Sequence, residues 1–209
     1  MNVQLDPVSL LRAKYEKNYL TGRSNLLLVI IFTLISMVTY ALDRSYFLFS
    51  AYIPLVFYGI FADLALVTGG DTELAAFYEW DAEFIEQLKS IGAGTFWAIG
   101  IAIGVLLVGA YFLCWLFSKK HPAALIIAAV FFGIDCLMLL LNFDISGIMD
   151  ILFHAWVMYY LINAIISNSK LKKLPAPAVE ASFNEVTEPV TVEEWSQIDT
   201  AANNNSEQN

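Results

Sequence analysis

The sequence predicts an all-α protein, an integral membrane helical bundle of about five transmembrane helices with amphipathic interfacial helices and a disordered acidic C-terminal tail. Composition is the first reason, because 58% of the 209 residues are hydrophobic and the mean hydropathy is +0.63, above the values of soluble domains. The second is that most apolar residues fall in runs of about 20, enough for a helix to cross the hydrocarbon core. Barrel strands would instead alternate in polarity over about 10 residues.

Five runs are predicted to span the membrane, and together they form a membrane domain over residues 25–167. The predicted spans are residues 25–42, 46–67, 94–117, 122–142 and 147–167. Polar or turn-forming residues separate them, as in Gly69-Gly70-Asp71 after the second span. The two cysteines, Cys114 and Cys136, fall within spans at depths that differ too much for a disulfide.

Two amphipathic segments are predicted outside the spans. Residues 1–24 form a basic segment in which Asp6 and Pro7 are typical of a helix start. Its apolar stripe is Leu11, Tyr15 and Tyr19. A second stripe, in the acidic connector after the second span, is Phe77, Trp80, Phe84, Leu88 and Ile91. Asp81 interrupts this second stripe, which fits either a solvated connector or a partner-binding helix.

Residues 168–209 are predicted to be an acidic disordered tail. After Lys173 the chain contains seven acidic residues and neither Lys nor Arg. This composition cannot bury enough apolar area to offset the entropy of ordering the segment. A solubilising spacer and a segment recognised by a partner are both compatible with it.

The five predicted spans leave the orientation ambiguous. They place six basic residues on one side of the membrane and five on the other, so the positive-inside rule gives almost no bias. Without the N-terminal segment the ratio is six to one, which predicts a cytoplasmic tail and an outward-facing acidic connector. The basic N-terminal segment would then face outward, so the orientation of the N-terminus stays open.

Four ionisable residues fall within the predicted spans, where such groups are costly and mark candidate functional sites. They are Asp63, Asp135, Asp150 and His154. Asp150 and His154 are four residues apart and share a helix face. Asp135 and His154 lie at similar distances from the turn between the last two spans, which predicts that they reach the same depth. Asp63 belongs to the same half of the membrane.

Three interpretations of this polar cluster stay open. A hydrogen bond between Asp135 and His154 would hold the two helices together, whereas a path for protons or cations would use the titratable imidazole. A metal site would use Asp135, Asp150 and His154, but one His with two carboxylates is a poor zinc set and no His-Glu-x-x-His motif occurs. The sequence therefore predicts no catalytic, cofactor-binding or metal-binding residues.

Gly100 and Gly104 form a candidate helix-packing face in the third span, because another backbone can approach closely at small residues. Packing within the chain and contact between copies in a homo-oligomer are both compatible with this face.

A resemblance to a family of small uncharacterised bacterial multi-pass membrane proteins is carried by residues 14–25 and by Phe153-His154-Ala155-Trp156. It extends from about Asp6 to Pro175. The resemblance implies a bacterial inner-membrane location, and since the family has no assigned activity, no site residue follows from it.

The sequence thus predicts a multi-pass membrane protein with a non-enzymatic structural or partner-binding role. Its partners would be the lipid bilayer and a membrane or cytoplasmic protein. The alternative is a small proton- or cation-coupled transporter that uses Asp135, Asp150 and His154. Nucleic-acid binding is not predicted, because the 11 basic residues form no basic groove.

Overall fold

The computed structural model describes residues 7–43, 49–142 and 147–175, and within these ranges the chain is helical and has no strand. The helices of this part are α1 (Pro7–Asp43), α2 (Tyr52–Thr68), α3 (Thr72–Phe77), α4 (Ala82–Ile91), α5 (Ala93–Phe117), α6 (Ala123–Leu141) and α7 (Ile148–Leu171). Four of them, α1, α5, α6 and α7, are long and apolar enough to cross a membrane, whereas α2 has 17 residues. The prediction of an apolar helical bundle is confirmed at this level.

α1 is one continuous helix of 37 residues, so the predicted boundary after residue 24 does not coincide with a helix end. Gly22 does not interrupt the helix because it is a packing position, where a Cβ would lie 2.9 Å from the backbone oxygen of Tyr160 in α7. Arg23 Nε donates a hydrogen bond to Ser118 Oγ, just after α5, at 2.8 Å. Residues 7–24 of the basic N-terminal segment are therefore a helical extension of the first predicted span and pack against the bundle.

α2 runs parallel to α1, although a segment that crossed the membrane directly after α1 would run antiparallel to it. Just before α2, the Ala51 N–H donates to Thr33 Oγ1 of α1 at 2.8 Å. Near the end of α2, Asp63 Oδ1 accepts from the Tyr40 hydroxyl of α1 at 2.8 Å. α2 therefore begins beside the middle of the apolar part of α1 and ends at the same end of the bundle as α1.

The packing of α5 also indicates that α1 and α2 are parallel, because α5 lies antiparallel to both. Its Gly104 packs against Met37 of α1. At Gly100, a Cβ would lie 2.9 Å from the Cβ of Phe61 in α2. Two helices of the same chain thus pack against the small-residue face of α5. Of the two alternatives that the sequence left open, packing within the chain and contact between copies, the structure has the first.

The connector after α2 contains two short helices instead of the single amphipathic helix predicted. Asp71 Oδ1 accepts from the Leu74 N–H at 2.9 Å, and Asp81 Oδ1 accepts from the Phe84 N–H at 2.6 Å, so these aspartates are the N-caps of α3 and α4. Asp81 interrupts the predicted stripe because it starts a new helix. Glu79, with φ of 54°, lies in the turn between them.

α6 and α7 form the predicted antiparallel hairpin, in which Gly133 of α6 faces Met158 of α7. α7 continues to Leu171, beyond the predicted start of the tail at residue 168. The rest of the predicted tail after residue 175 lies outside the described residues. Cys114 and Cys136 are both free thiols, in agreement with their predicted depths.

We expect Gly22→Ala to lower the free energy of unfolding in detergent by about 1–3 kcal/mol, the usual cost of overpacking. The added methyl group would collide with Ala164 and with the Tyr160 backbone, which cannot move aside as a flexible side chain can. Gly109→Ala in α5 is the matched control, since no atom lies within 4 Å of the position that its Cβ would take. Thermal unfolding followed by circular dichroism measures both variants. An unchanged unfolding temperature for Gly22→Ala would contradict the close packing of α1 on α7.

Candidate functional site

Asp135 of α6 is fully buried, and its carboxylate caps the N-terminus of α2. Oδ1 accepts a hydrogen bond from the Ile53 N–H at 2.7 Å, and Oδ2 accepts one from the Tyr52 N–H at 2.8 Å. Ala51, at the cap position of α2 itself, provides no capping side chain. A carboxylate at this place satisfies N–H groups that have no partner within the helix and interacts favourably with the helix dipole.

His154 of α7 makes the contact with Asp135 that the sequence predicts. Its Nε2 lies 3.0 Å from Asp135 Oδ2, and its Nδ1 lies 2.7 Å from the backbone oxygen of Asp150. The ring stacks on Phe132 with centroids 5.0 Å apart. Both ring nitrogens face oxygen atoms, so two hydrogen-bonding partners and one aromatic face fix the position of the imidazole.

The segment that leads into α2 also donates backbone hydrogen bonds to side chains of neighbouring helices. Asp150, in the first turn of α7, accepts through Oδ1 from the Phe49 N–H at 3.2 Å. Thr33 of α1 accepts from the Ala51 N–H at 2.8 Å. Phe49 itself has φ of 81°, and its ring packs against Phe153 with centroids 4.9 Å apart. Side chains of α1, α6 and α7 thus supply acceptors to four backbone N–H groups between residues 49 and 53.

Asp63 has a different set of partners from the other three predicted residues. Its Oδ1 accepts from the Tyr40 hydroxyl at 2.8 Å, and its Oδ2 accepts from the Tyr78 hydroxyl at 2.6 Å. The side chain is almost completely buried. Because Tyr40 belongs to α1 and Tyr78 follows α3, this carboxylate joins α1 and the connector to α2.

A cavity of about 420 Å³ lies between α1, α2, α6 and α7. Its charged and titratable lining residues are Asp63, Asp150 and His154, and its aromatic lining residues are Tyr40, Tyr52 and Tyr78. Asp135 is not part of the lining. The cavity extends from the start of α2, inside the bundle, towards the end at which α6 ends and α7 begins.

The four predicted polar residues therefore surround one region but do not form one ligand set. Asp135 and His154 bond to each other, while Asp63 and Asp150 bond to other partners. Among the described residues, no group of three His, Cys, Asp or Glu side chains could hold a metal ion. Sequence reasoning missed Tyr40, Tyr78 and the N-terminus of α2 as partners, because these contacts depend on the direction of α2.

No protein-family model, curated protein or solved structure matches this chain. The resemblance to small bacterial membrane proteins therefore stays a prediction. What the site can do follows from its own chemistry. Its buried carboxylate satisfies two backbone donors at the start of α2, and its imidazole bonds to that carboxylate. Both lie next to a cavity with a polar and aromatic lining.

We expect Asp135→Ala to destabilise the protein in detergent more than His154→Ala does. Loss of the carboxylate leaves the Tyr52 and Ile53 N–H groups unpaired, at about 1–3 kcal/mol for each buried group, whereas loss of the imidazole removes no acceptor from α2. The double variant should lose less than the sum of the single variants, with a coupling of about 0.6 kcal/mol or more.

Unfolding by denaturant in mixed micelles measures all three variants. Asp71→Ala is the control, because it removes a carboxylate cap from α3, outside the polar cluster. Strictly additive losses, or a larger loss for His154→Ala than for Asp135→Ala, would contradict the bonding described here.

Proposed function

We propose that the chain crosses a bacterial inner membrane four times, through α1, α5, α6 and α7, and that α2 is a re-entrant helix. This topology replaces the five crossings that hydropathy alone indicates. It is supported by the 17-residue length of α2 and by its direction, parallel to α1. A helix that starts inside the bundle and leaves where α1 ends does not change sides. The connector with α3 and α4 then lies on the side of the membrane where α1 ends.

The distribution of basic residues supports the same topology. Contacts bring the start of α1, the α5–α6 turn and the end of α7 to one end of the bundle, as between Arg12 and Pro175 and between Arg23 and Ser118. The basic residues on this side are Arg12, Lys14, Lys17, Arg23, Lys119, Lys120, Lys170, Lys172 and Lys173. Lys89 belongs to the other side, and Arg44 is counted with it because it follows α1 directly in the sequence. This ratio of nine to two orients both termini towards the cytoplasm under the positive-inside rule.

In this proposal the polar cluster has a structural role and the protein is not an enzyme. One observation carries it, namely that Asp135 accepts hydrogen bonds from two backbone N–H groups at the start of α2. Hydrocarbon contains no water to satisfy such groups, and each unsatisfied group costs several kcal/mol. The cluster therefore makes a helix start possible within the membrane. The protein acts through its structure or through a partner in the membrane or cytoplasm.

A small proton- or cation-coupled transporter is the second candidate, and one observation favours it. The cavity reaches His154, well inside the bundle. Transporters often combine interrupted helices with binding sites near the bilayer midplane. A re-entrant α2 beside this cavity supplies the interrupted helix that the sequence did not indicate.

We expect Lys17 and Lys172 to lie on the cytoplasmic side and Glu83 on the opposite side. Single cysteines at these positions, in a chain with Cys114→Ala and Cys136→Ala, test this with a membrane-impermeant maleimide. In spheroplasts, Glu83→Cys should be labelled, whereas Lys17→Cys and Lys172→Cys should be labelled only after lysis. Five crossings would put residue 17 on the same side as residue 83, so the same labelling of Lys17→Cys and Glu83→Cys in intact spheroplasts would contradict the re-entrant helix.

We expect proteoliposomes with the wild-type protein to show no more proton or cation flux than empty vesicles. His154→Gln distinguishes the structural role from the transporter, because glutamine can still donate a hydrogen bond to Asp135 but cannot titrate. The structural role predicts a folded His154→Gln protein with unchanged flux. His121→Gln, in the exposed turn after α5, is the matched control. Wild-type flux that His154→Gln abolishes and His121→Gln does not would establish the transporter.

A further inference from the structure

The cavity between α1, α2, α6 and α7 has the size of a small-molecule site. Its volume of about 420 Å³ lies within the range of about 300–1,000 Å³ that such sites occupy. Apolar side chains form much of its wall, including Leu55, Val56 and Ile60 of α2 and Leu139 of α6. Eight of the fourteen described lining residues have polar side chains, and these come from different parts of the chain. Polar groups that converge on an apolar wall can orient a small ligand.

Among the described residues that line the cavity, the charged side chains are acidic. Asp63 and Asp150 are carboxylates, and no Lys or Arg is part of this lining. Asp63 already accepts a tyrosine hydroxyl at each oxygen. Asp150 accepts the Phe49 N–H at Oδ1, and its Oδ2 has no hydrogen-bond partner among the described residues. A ligand with a positively charged donor would form a charge-assisted hydrogen bond to this oxygen.

The aromatic lining points to the kind of cation. Tyr40, Tyr52 and Tyr78 reach the cavity from three separate parts of the chain. Aromatic rings attract organic cations through their quadrupole, and they also provide apolar contact for the carbon skeleton of the ligand. A small inorganic cation would gain little from such a lining.

Other ligand classes fit this lining less well. A metal ion needs several convergent ligands, and the described residues contain no group of three side chains that could hold one. An anion would meet two carboxylates, and the positive end of α2 is already occupied by Asp135. A neutral molecule would form no charge-assisted hydrogen bond with Asp150 as strong as that of a cation.

We propose that this cavity binds a small organic ammonium ion, with Asp150 as the partner of the ammonium group and the three tyrosines around its carbon skeleton. This inference goes beyond the proposed structural role of the polar cluster. The four-span topology determines only that the ligand would enter from the side opposite the cytoplasm. Binding to the purified protein in detergent does not depend on that topology. A negative binding result would therefore not contradict the four-span topology, and a different topology would not contradict ligand binding.

The first test compares three probes of similar shape and different charge by isothermal titration calorimetry with the full chain in detergent. The probes are phenethylammonium, phenethyl alcohol and phenylacetate. We expect phenethylammonium to bind at least about tenfold more tightly than the alcohol, since a hydrogen bond to a charged group is worth about 1.5–3 kcal/mol. Phenylacetate should not bind. Equal affinity for the ammonium and the alcohol, or no binding of either, would overturn the proposal.

The second test assigns the selectivity to Asp150. Asp150→Asn removes the charge and keeps an oxygen that can accept from the Phe49 N–H. It should weaken phenethylammonium binding about tenfold or more and leave the alcohol unchanged. Glu83→Gln is the matched control, because it removes the same charge from the exposed surface of α4. Equal effects of the two variants would show that net charge alone causes the selectivity and would overturn the proposal.

A third measurement keeps the proposal falsifiable if Asp150→Asn does not fold. Val56→Phe narrows the cavity with an apolar side chain and changes no charge. It should weaken phenethylammonium binding while the protein keeps its helical circular dichroism. Displacement of phenethylammonium by calcium chloride at equal ionic strength would identify an inorganic cation site instead and would overturn the proposal.

Discussion

The fold depends on the carboxylate of Asp135, because α2 begins inside the bundle. The first N–H groups of any helix lack partners within the helix, and hydrocarbon offers them no water. Asp135 accepts from two of them, and His154 holds the same carboxylate from the other side. Asp150 and Thr33 satisfy the N–H groups just before them. The return of the chain into the bundle is thus possible only because three neighbouring helices present acceptors at that level.

These hydrogen bonds favour a structural role for the ionisable residues over a transport path. Charged and titratable side chains inside membrane helices are candidate parts of a transport path by default. Here both oxygens of Asp135 and one of Asp150 accept from backbone N–H groups, and both oxygens of Asp63 accept from tyrosine hydroxyls. Asp135 and His154 are also not a self-contained pair. Replacing both with apolar residues would leave the Tyr52 and Ile53 N–H groups unpaired, so the near-neutral exchange that holds for an isolated buried pair does not apply.

The sequence predicts the helices well and their directions poorly. Hydropathy located the apolar helices, and equal spacing from the α6–α7 turn placed Asp135 opposite His154. Neither signal reports direction, so the segment that became α2 was interpreted as a crossing. Under the four crossings proposed above, the N-terminal segment and Arg44 are assigned to other sides than under five crossings, and the ratio of basic residues is nine to two instead of six to five. The charge bias was present in the sequence, but it became visible only with an even number of crossings. The tyrosine hydroxyls on Asp63 could not be predicted, because they too depend on the direction of α2.

A helix that occupies only one half of the bundle also makes the two halves different. In the basic half, α1 packs closely on α7 at Gly22 and bonds to Ser118 through Arg23, so this half holds the long helices together. In the other half, a cavity lies between α1, α2, α6 and α7, and tyrosine and carboxylate side chains are part of its lining. The cavity is therefore bordered by a short helix that begins inside the bundle. The packing at Gly22 lies in the basic half and does not involve the cavity, so a substitution in the apolar wall of the cavity leaves that packing unchanged.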